Sequence, residues 1–431
     1  MVYKMNLEKS KEYLERAKKV IPSATQTFSK GPTQWVGDVS PHYLKRGDGA
    51  WVWDVDGNRY LDYLMALGPI ILGYNNQRVN EAVIQQLQDG AVFSQMHPLE
   101  VEVAEMLVDL IPCAEMVRFA KNGSDATTGA VRAARAYTNR ERIIYCGYHG
   151  WHDWYIGTTT RDLGVPSAVK ELTSSFEYND LSSLEAALKK YPGEVAAVVM
   201  EPVGVINPNE GFLEGVRSLC DQHGTLLIFD EIVTGFRVHL GGAQAYYGVT
   251  PDLACFGKAM ANGLPLSAVV GKKEVMEIFD SIFFSGTFGG ETLSLAACKA
   301  TINEMQEKNT INHLWKVGGE IIDELNKLLE QYDLTNSVKV LGLPVRSVVT
   351  FPHKEEKQSL LMRSYFMQEC VKRGLLYFCS NVVCASHGKE EVLFTINVFR
   401  EVVPLFADAL HANDFSERLE GSPVEAIFRK A

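Results

Sequence analysis

From about residue 78 to residue 305, helical patterns alternate with short apolar runs, and this alternation constrains the fold more than any other feature. The apolar runs predict strands at 117–119, 143–146, 195–200, 226–229, 253–256 and 267–271. Strands that alternate with helices indicate an α/β fold with a mainly parallel sheet. Ligands of such sheets bind beyond the carboxyl ends of the strands. Residues that follow these runs are therefore the first candidates for function.

Two of these strand ends carry a carboxylate and an amine. The run 226–229 leads into Asp230, and the run 253–256 leads into Gly257 and Lys258. A lysine amine can form a Schiff base with an aldehyde, and an aspartate can keep a pyridine nitrogen protonated so that the ring accepts electrons. Together they are what pyridoxal phosphate (PLP) chemistry requires. Taken alone, Lys258 is equally typical of a surface lysine in an ordinary loop.

A glycine-containing loop precedes a helical pattern that runs through Tyr137. The loop contains Asn122-Gly123-Ser124-Asp125. A helix N-terminus offers unpaired N–H groups and a partial positive charge, which suit a phosphate. Gly123 allows close approach of the backbone and Ser124 adds a hydroxyl donor. The alternative is a plain helix cap, where Ser and Asp are common.

The strand at 143–146 ends in an aromatic cluster. A flat ring such as that of Tyr148 can stack on a pyridine ring, although Trp151 and Trp154 are equally typical of a core. His149 and His152 lack a His-Glu-x-x-His pattern and a third ligand. No metal site is therefore predicted.

These motifs resemble the class III, fold-type I PLP-dependent aminotransferases, in the subgroup close to glutamate-1-semialdehyde aminomutase. The similarity is nearly residue for residue over 229–252, and it extends to 122–138, 16–22 and 53–63. It covers nearly the whole chain. The resemblance implies PLP as the cofactor, and a large domain with a mainly parallel sheet plus a smaller α+β domain.

The resemblance also implies roles for individual residues. Lys258 is expected to be the Schiff-base lysine and proton shuttle, and Asp230 the partner of the pyridine nitrogen. The cofactor-binding set that it implies is Gly123, Ser124, Tyr148, Glu201, Asp230, Lys258 and Thr287. Thr287 resembles the threonine that reaches the phosphate of the neighbouring subunit. This implies a homodimer with shared active sites.

The chain also departs from the aminomutase pattern. Cys379 stands where those enzymes carry a gating glutamate, and the segment 288–292 replaces their Ser-Gly-Asn-Pro loop. Lys30 takes the place of an early arginine that binds the substrate carboxylate. A C-terminal arginine found in other class III transaminases has no clear counterpart around 394–400. Lys30, His149 and Cys379 are the predicted substrate residues.

Three functions remain open at this point. The first is an aminotransferase that moves an amino group from an amino-acid donor, expected to be glutamate, to a carbonyl acceptor such as a hydroxylated or sugar-like aldehyde or ketone. The second is glutamate-1-semialdehyde 2,1-aminomutase. The third is a catalytically silent PLP-fold binding protein, which an intact Lys258, Asp230 and phosphate loop disfavour. The expected partners are small molecules.

Composition narrows the class of protein further. The 431 residues are 46% hydrophobic and carry a formal net charge of -11. No long basic run favours nucleic acid, and no segment has the length and apolarity of a signal peptide or a membrane span. The 8 scattered cysteines are typical of a reducing compartment. We therefore expect a cytoplasmic enzyme that binds neither nucleic acid nor membrane.

The pattern divides the chain into three segments. Residues 1–77 form an N-terminal segment that contributes to the small domain and to dimer contacts, with a helix at 7–21 stopped by Pro22 and strands at 43–63 around an Asp56-Gly57 turn. Residues 78–309 form the large PLP-binding α/β domain. Residues 310–431 form the small α+β domain, which begins with a long helix at 310–331.

Overall fold

A computed structural model describes residues 5–426 of the chain. These residues form two compact units. The central unit is Gln77–Ile311, and the terminal unit combines residues 5–76 with residues 312–426. The sequence predicts domain limits at 77/78 and 309/310, and the central unit has its limits at 76/77 and 311/312. The role of residues 1–77 in dimer contacts stays a prediction.

The helices and strands of the described residues follow in chain order. They are α1 (Glu8–Val20), β1 (Leu44–Asp48), β2 (Trp51–Asp54), β3 (Arg59–Asp62), α2 (Gln77–Asp89), α3 (Pro98–Leu110), β4 (Met116–Ala120), α4 (Gly123–Thr138), β5 (Arg142–Cys146), α5 (Asp153–Ile156), α6 (Ser167–Glu171), β6 (Thr173–Ser175), α7 (Leu181–Lys190), β7 (Val195–Met200), α8 (Phe212–His223), β8 (Leu226–Asp230), α9 (Gly242–Tyr247), β9 (Leu253–Phe256), β10 (Ser267–Gly271), α10 (Lys273–Met276), α11 (Thr292–Glu307), α12 (Thr310–Gln331), β11 (Lys339–Leu343), β12 (Arg346–Thr350), α13 (Glu356–Val371), β13 (Leu375–Leu376), β14 (Ser380–Val382), α14 (Lys389–Ala412) and α15 (Phe415–Arg418).

The central unit contains a seven-stranded sheet in the order β4-β10-β9-β8-β7-β5-β6. Strands β9, β8, β7, β5 and β6 are parallel to one another, whereas β10 is antiparallel to both β4 and β9. Every residue of β7 is buried, as expected of a parallel strand covered on both faces. The predicted α/β fold with a mainly parallel sheet is confirmed.

The six predicted strands are all present, with ends that differ by at most one residue. The strand predicted at 226–229 extends to Asp230, so this carboxylate ends β8 rather than following it. Strand β6 was missed because its sequence, Thr-Ser-Ser, offers no apolar run. The antiparallel direction of β10 was not predicted, because strand direction leaves no mark on a fully apolar five-residue run.

Small residues bring α4 close to the sheet. Ala126, Ala130, Ala133 and Ala134 of this helix are fully buried and belong to a core cluster with β5, β7, β8 and β9. A Cβ placed at Gly129 would lie 2.6 Å from Phe284 Cε2, so only glycine fits there. This tight packing fixes the N-terminus of α4 at the sheet edge where strands β5, β7, β8 and β9 end.

The terminal unit contains two small sheets, β1-β2-β3-β13 and β11-β12-β14. Helix α1 ends at Val20, before Pro22, as the pattern predicts. The predicted turn at Asp56-Gly57 joins the antiparallel strands β2 and β3, and Gly57 has a φ of 97°. Within residues 5–426, no helix combines the length and the apolar character needed to cross a membrane.

Candidate active site

Four neighbouring strands of the central sheet end at residues that the sequence singles out. Strands β5, β7, β8 and β9 are adjacent and parallel, so their carboxyl ends meet at one edge. Asp230 ends β8, Glu201 follows β7, Lys258 follows β9 after one glycine, and Tyr148 follows β5 after one glycine. Adjacent strand ends bring together residues from four separate parts of the chain.

Asp230 is buried and holds a buried histidine. Its Oδ2 lies 2.9 Å from His149 Nδ1, and its Oδ1 accepts a hydrogen bond from the Ile232 N–H at 3.1 Å. Asp230 is 5% exposed and His149 is 2% exposed. The His149 Nε2 lies 3.0 Å from the Cys146 carbonyl oxygen. Both nitrogens of His149 are therefore engaged within the central unit.

The two partners of His149 determine where its protons are. A carbonyl oxygen only accepts, so Nε2 carries a proton that it donates to Cys146. A second proton then joins Nδ1 to Asp230 Oδ2, because two acceptors do not bond. The pair therefore holds one shared proton and, with the burial of both groups, forms a charge-assisted hydrogen bond. Both ring nitrogens of His149 thus have partners within the protein, and its predicted role as a substrate residue stays a prediction.

Two glycines in left-handed conformations turn the chain around Tyr148 and His149. Gly147 has a φ of 104° and Gly150 a φ of 101°, which side chains other than glycine rarely adopt. As a result His149 points into the protein while Tyr148 is 50% exposed. The Tyr148 ring packs edge-on against Tyr155, with centroids 5.5 Å apart. The Tyr148 side chain is therefore half-exposed at the carboxyl end of β5.

Glu201 lies next to this turn. Its Oε1 accepts a hydrogen bond from the Tyr148 N–H at 3.4 Å, and a Cβ placed at Gly147 would lie 3.3 Å from the same oxygen. Partial burial raises the pKa of the Tyr148 phenol, and the charges of Asp230 and Glu201 add to this effect. The three side chains therefore share one electrostatic environment.

The loop before α4 has the geometry of an anion cradle. The Asn122 N–H donates to Asp125 Oδ2 at 2.7 Å and fixes the start of the helix. In the described part of the chain, the N–H groups of Gly123 and Ser124 have no hydrogen-bond partner. Ser124 Oγ accepts from the Trp151 N–H at 3.3 Å, which leaves its hydroxyl proton to donate. A Cβ placed at Gly150 would lie 2.2 Å from Ser124 Oγ, so glycine is required there as well.

Ile232 joins the phosphate loop to the lysine, and sequence reasoning missed it. A Cβ placed at Gly123 would lie 3.1 Å from Ile232 Cγ2, and one placed at Gly257 would lie 3.1 Å from Ile232 Cδ1. The same side chain therefore packs under both glycines, two residues after Asp230. The only signal in the sequence is this spacing, which does not identify a contact.

Lys258 begins a short 3-10 turn, Lys258–Ala261, and is half-buried. Its φ is 41°, in the left-handed region, where a non-glycine residue stores backbone strain of about 1–3 kcal/mol. Such strain persists where the surrounding structure imposes it, and it is common at functional sites. The backbone geometry at Lys258 is consistent with a lysine whose direction is fixed by function.

The remaining predicted residues are not on the carboxyl ends of these four strands. Thr287 is exposed, in a loop closed by a hydrogen bond from the Gly289 N–H to the Gly286 carbonyl. Lys30 and Cys379 belong to the terminal unit. Lys30 is exposed at the end of a 3-10 turn, and its predicted role stays a prediction.

Cys379 is buried in the terminal unit. The residue is 3% exposed, and burial raises the pKa of its thiol to about 12, against the opposing charge and hydrogen bond of Arg363. The thiol is therefore neutral at pH 7, and the predicted substrate contact of Cys379 stays a prediction.

The central unit fits PLP at three of its chemical groups. The N–H groups of Gly123 and Ser124 and the Ser124 hydroxyl suit a phosphate, and the half-exposed Tyr148 ring suits a flat ligand. The buried Asp230 carboxylate, held by His149, suits a basic ring nitrogen. Lys258 follows the strand next to that of Asp230. The donor set and the glycine cradle therefore match the cofactor.

The chain matches the family model for class III aminotransferases over residues 35–387. This range includes every predicted site residue except Lys30. The chain belongs to the class III aminotransferase family. Members of this family are PLP-dependent enzymes that act on small-molecule amino donors and acceptors.

Relatives in this family carry two kinds of name. The chain is 36% identical over 411 residues to a 3-aminobutyryl-CoA aminotransferase of Cloacimonas acidaminovorans, with 93% of this chain and 98% of the relative covered. It is 39% identical over 422 residues to glutamate-1-semialdehyde 2,1-aminomutase 1 of Lachnoclostridium phytofermentans, with 91% and 98% covered. Because the chain is about equally similar to a relative of each name, overall sequence similarity does not distinguish transfer from mutase chemistry.

Solved structures of class III enzymes have the same fold. The FumI protein of Sphingopyxis sp. MTA144, in its PLP internal aldimine form, matches 97% of this chain and 99% of its own with a TM-score of 0.87 and 27% identity. An omega-transaminase of Sphaerobacter thermophilus matches 93% and 98% with a TM-score of 0.84 and 27% identity. The predicted fold type I is confirmed.

Proposed function

We propose that this protein is a PLP-dependent aminotransferase that moves an amino group from an amino-acid donor to a carbonyl acceptor. The observation that carries the proposal is the position of Asp230, bonded to His149 at 2.9 Å, on the strand next to the one that leads into Lys258. This pair of strand ends favours an enzyme over a silent binding protein, because it places a carboxylate for the ring nitrogen beside a lysine that can react with the aldehyde.

Each residue of the site has a task in binding. When bound, PLP supplies an aldehyde for the lysine amine and a ring that takes up electrons from the substrate. Gly123 and Ser124 would hold its phosphate, Tyr148 would stack on its ring, and Glu201 would support Tyr148 through the bond from the Tyr148 N–H. Asp230 would accept a hydrogen bond from the protonated ring nitrogen, and His149 keeps Asp230 in place.

Lys258 performs the proton transfer. With PLP held by the site, the Lys258 Nζ would be the base that takes the proton from the substrate α-carbon and the group that gives it back. The same amine would serve both the donor half and the acceptor half of the reaction.

The structure of Cys379 supports transfer over the mutase reaction. A mutase must retain its intermediate between half-reactions, and the resemblance assigns this to a glutamate at the position of Cys379. With a thiol pKa of about 12, Cys379 is neutral at pH 7 and supplies no fixed charge. Glu291 lies in the segment 288–292, which replaces the Ser-Gly-Asn-Pro loop of the aminomutases. Its carboxylate is already paired with Lys121 at 2.9 Å. The donor and the product are therefore expected to exchange freely.

The proposed substrates follow from the departures in sequence. We infer glutamate as the donor and a hydroxylated, sugar-like aldehyde or ketone as the acceptor, with Lys30 as a substrate carboxylate contact. The name of one relative, 3-aminobutyryl-CoA aminotransferase, adds 3-aminobutyryl-CoA as a second donor to be tested. The cysteine usage supports a cytoplasmic location.

The decisive experiment offers ¹⁵N-labelled glutamate together with a panel of carbonyl acceptors. Label in the aminated acceptor is the expected result. Conversion of glutamate-1-semialdehyde to 5-aminolevulinate without any external donor would show a mutase instead. A protein that binds PLP and completes neither half-reaction would show a silent binding protein.

We also propose a homodimer in which Thr287 contacts the phosphate of the partner subunit. Four large apolar side chains near residues 91 and 292 are exposed in the single chain, namely Phe93, Met96, Phe283 and Phe288. A hydrogen bond from the Thr292 N–H to the Ala91 carbonyl joins the two segments that carry them. Exposed apolar patches of this kind favour association. Sedimentation of an active enzyme as a monomer would contradict the shared-site proposal.

A further inference from the structure

The loop that carries Thr287 is held at its start by the structural unit that carries the phosphate cradle. Arg118, on β4, donates to the Phe284 carbonyl at 3.1 Å, and Arg132, on α4, donates to the Phe283 carbonyl at 2.8 Å. We call residues 285–290 the Thr287 loop. Strand β4 and helix α4 flank Gly123 and Ser124, so the cradle and the start of the Thr287 loop have common supports.

The end of the Thr287 loop is held by the same unit through an ion pair. Lys121 Nζ lies 2.9 Å from Glu291 Oε2, and both side chains are less than one-fifth exposed. Lys121 directly precedes Asn122, and Glu291 directly follows the loop. The pair therefore joins two segments that are 170 residues apart in the chain.

Glu291 is also the cap of α11. Its Oε1 accepts from the Leu293 N–H at 2.8 Å, and its Oε2 accepts from the Ser294 N–H at 3.2 Å and from Ser294 Oγ at 2.7 Å. Burial opposes ionisation of Glu291, but the hydrogen bonds from Ser294 and Lys121 outweigh it and lower the pKa of the carboxyl. A carboxylate with this many partners has one fixed position.

Close packing transmits that position to the loop. A Cβ placed at Gly289 would lie 3.4 Å from the Phe119 carbonyl oxygen, at the end of β4. A Cβ placed at Gly290 would lie 2.6 Å from the Glu100 carboxyl carbon. The Glu100 side chain caps α3, because its Oε1 accepts a hydrogen bond from the His97 N–H. The end of the loop at Gly290 is therefore closely packed against the Glu100 carboxylate, and Gly289 lies within ordinary contact distance of β4.

We propose that Lys121 is a positioning residue for the cofactor phosphate, which acts by fixing Glu291 and so the Thr287 loop against the Gly123-Ser124 cradle. The inference rests on the proposed shared-site homodimer. One rigid piece of each subunit then serves two sites: its cradle binds the phosphate of its own site, and its Thr287 binds the phosphate of the partner's site. Lys121 contacts neither phosphate.

The test measures PLP affinity of the apoenzyme by absorbance titration. Lys121→Met and Glu291→Gln are expected to raise the PLP dissociation constant about fivefold to tenfold, because a loop that is no longer fixed must be ordered when PLP binds. Gln at 291 keeps one acceptor oxygen for the helix cap and removes the negative charge and the second acceptor. Lys121→Arg should restore most of the affinity. The matched control is Lys299→Met, which removes a more exposed pair with Glu102 at 2.7 Å between α11 and α3, and should change the constant less than about twofold.

A double-mutant cycle separates positioning from general loss of stability. Because Lys121 acts through Thr287, Lys121→Met should weaken PLP binding much less in a Thr287→Ala background than in the wild type. Two results would overturn the inference and leave the shared-site proposal standing. One is additive effects of the two substitutions on the PLP dissociation constant. The other is an unchanged constant for Lys121→Met when Thr287→Ala weakens PLP binding. A wild-type constant for Thr287→Ala would overturn the shared-site proposal and the inference with it.

Discussion

Two buried histidines, one in each compact unit, differ in the partners that surround them. His149, in the central unit, donates to a backbone carbonyl and faces the Asp230 carboxylate. His387, in the terminal unit, accepts the Cys384 N–H on Nδ1 at 2.9 Å and donates from Nε2 to the Asp62 carbonyl at 3.1 Å. One histidine has two acceptors as partners, and the other has one donor and one acceptor.

The difference decides what each ring does. A neutral imidazole has one N–H and one lone pair, which satisfies every partner of His387. Burial lowers the pKa of His387 to about 4, so it stays neutral and serves the fold. His149 needs a second proton and shares it with Asp230. Burial alone therefore does not make a histidine functional; the charge of its partner does.

The largest effect on turnover is expected from a substitution in the central unit, Lys258→Ala, which should leave the fold intact. Lys258→Ala removes the amine that bonds the cofactor and moves the proton, so kcat should fall on the order of 10⁴-fold. The near-visible absorbance of lysine-bound PLP should disappear as well, while the melting temperature of the apoenzyme stays close to that of the wild type. A coloured and active variant would remove Lys258 from the site.

Asp230→Asn should have the next largest effect. A neutral amide cannot hold the ring proton in place, so kcat should fall on the order of 10²- to 10³-fold while PLP still binds. Stopped-flow absorbance of the first half-reaction measures this loss separately from binding. Unchanged turnover with an unchanged cofactor spectrum would contradict the role of Asp230.

The terminal unit should respond to pH instead. The His387 pKa lies near 4 in the folded state, below its ordinary value of 6.5, so the unfolded chain takes up this proton first as pH falls. Its stabilising contribution is complete above pH 6.5 and is lost as pH falls from 6.5 towards 4. Between pH 6.5 and pH 5 the loss should be about 2 kcal/mol.

Urea unfolding at these two pH values measures the loss, with His387→Gln as the control. Since glutamine does not titrate, the variant should lose about 2 kcal/mol less than the wild type over the same interval. Equal pH dependence in both proteins would show that His387 does not stay neutral in the folded state.

The smallest effect should be that of His149→Asn. Loss of the shared proton changes the charge balance of Asp230, and a change of about 1.4 kcal/mol corresponds to roughly tenfold in rate. The pH profile of kcat should shift together with this loss, whereas His387→Gln should leave the profile of the folded enzyme unchanged. A His149→Asn profile identical to the wild type would erase the contrast between the two histidines.

The sequence predicted the strands and the residues at their ends, because apolar runs and parallel strand ends follow simple rules. Asp230, Lys258 and Ser124 could be found in this way, whereas Glu201 and Thr287 came from resemblance. The engagement of both nitrogens of His149 could not be predicted, since it depends on the left-handed glycines on either side. Pairs such as Lys121 and Glu291 were also hidden, because nothing in the sequence marks a contact across 170 residues.

The central claim is that the strand ends of the central sheet build a PLP site around Lys258. Borohydride reduction of the PLP-loaded protein, followed by peptide mass mapping, tests it most directly, because reduction fixes the cofactor covalently to its lysine. The account predicts a pyridoxyl group on the peptide that contains Lys258 and on no other lysine peptide. A modified lysine elsewhere, or none, would contradict it.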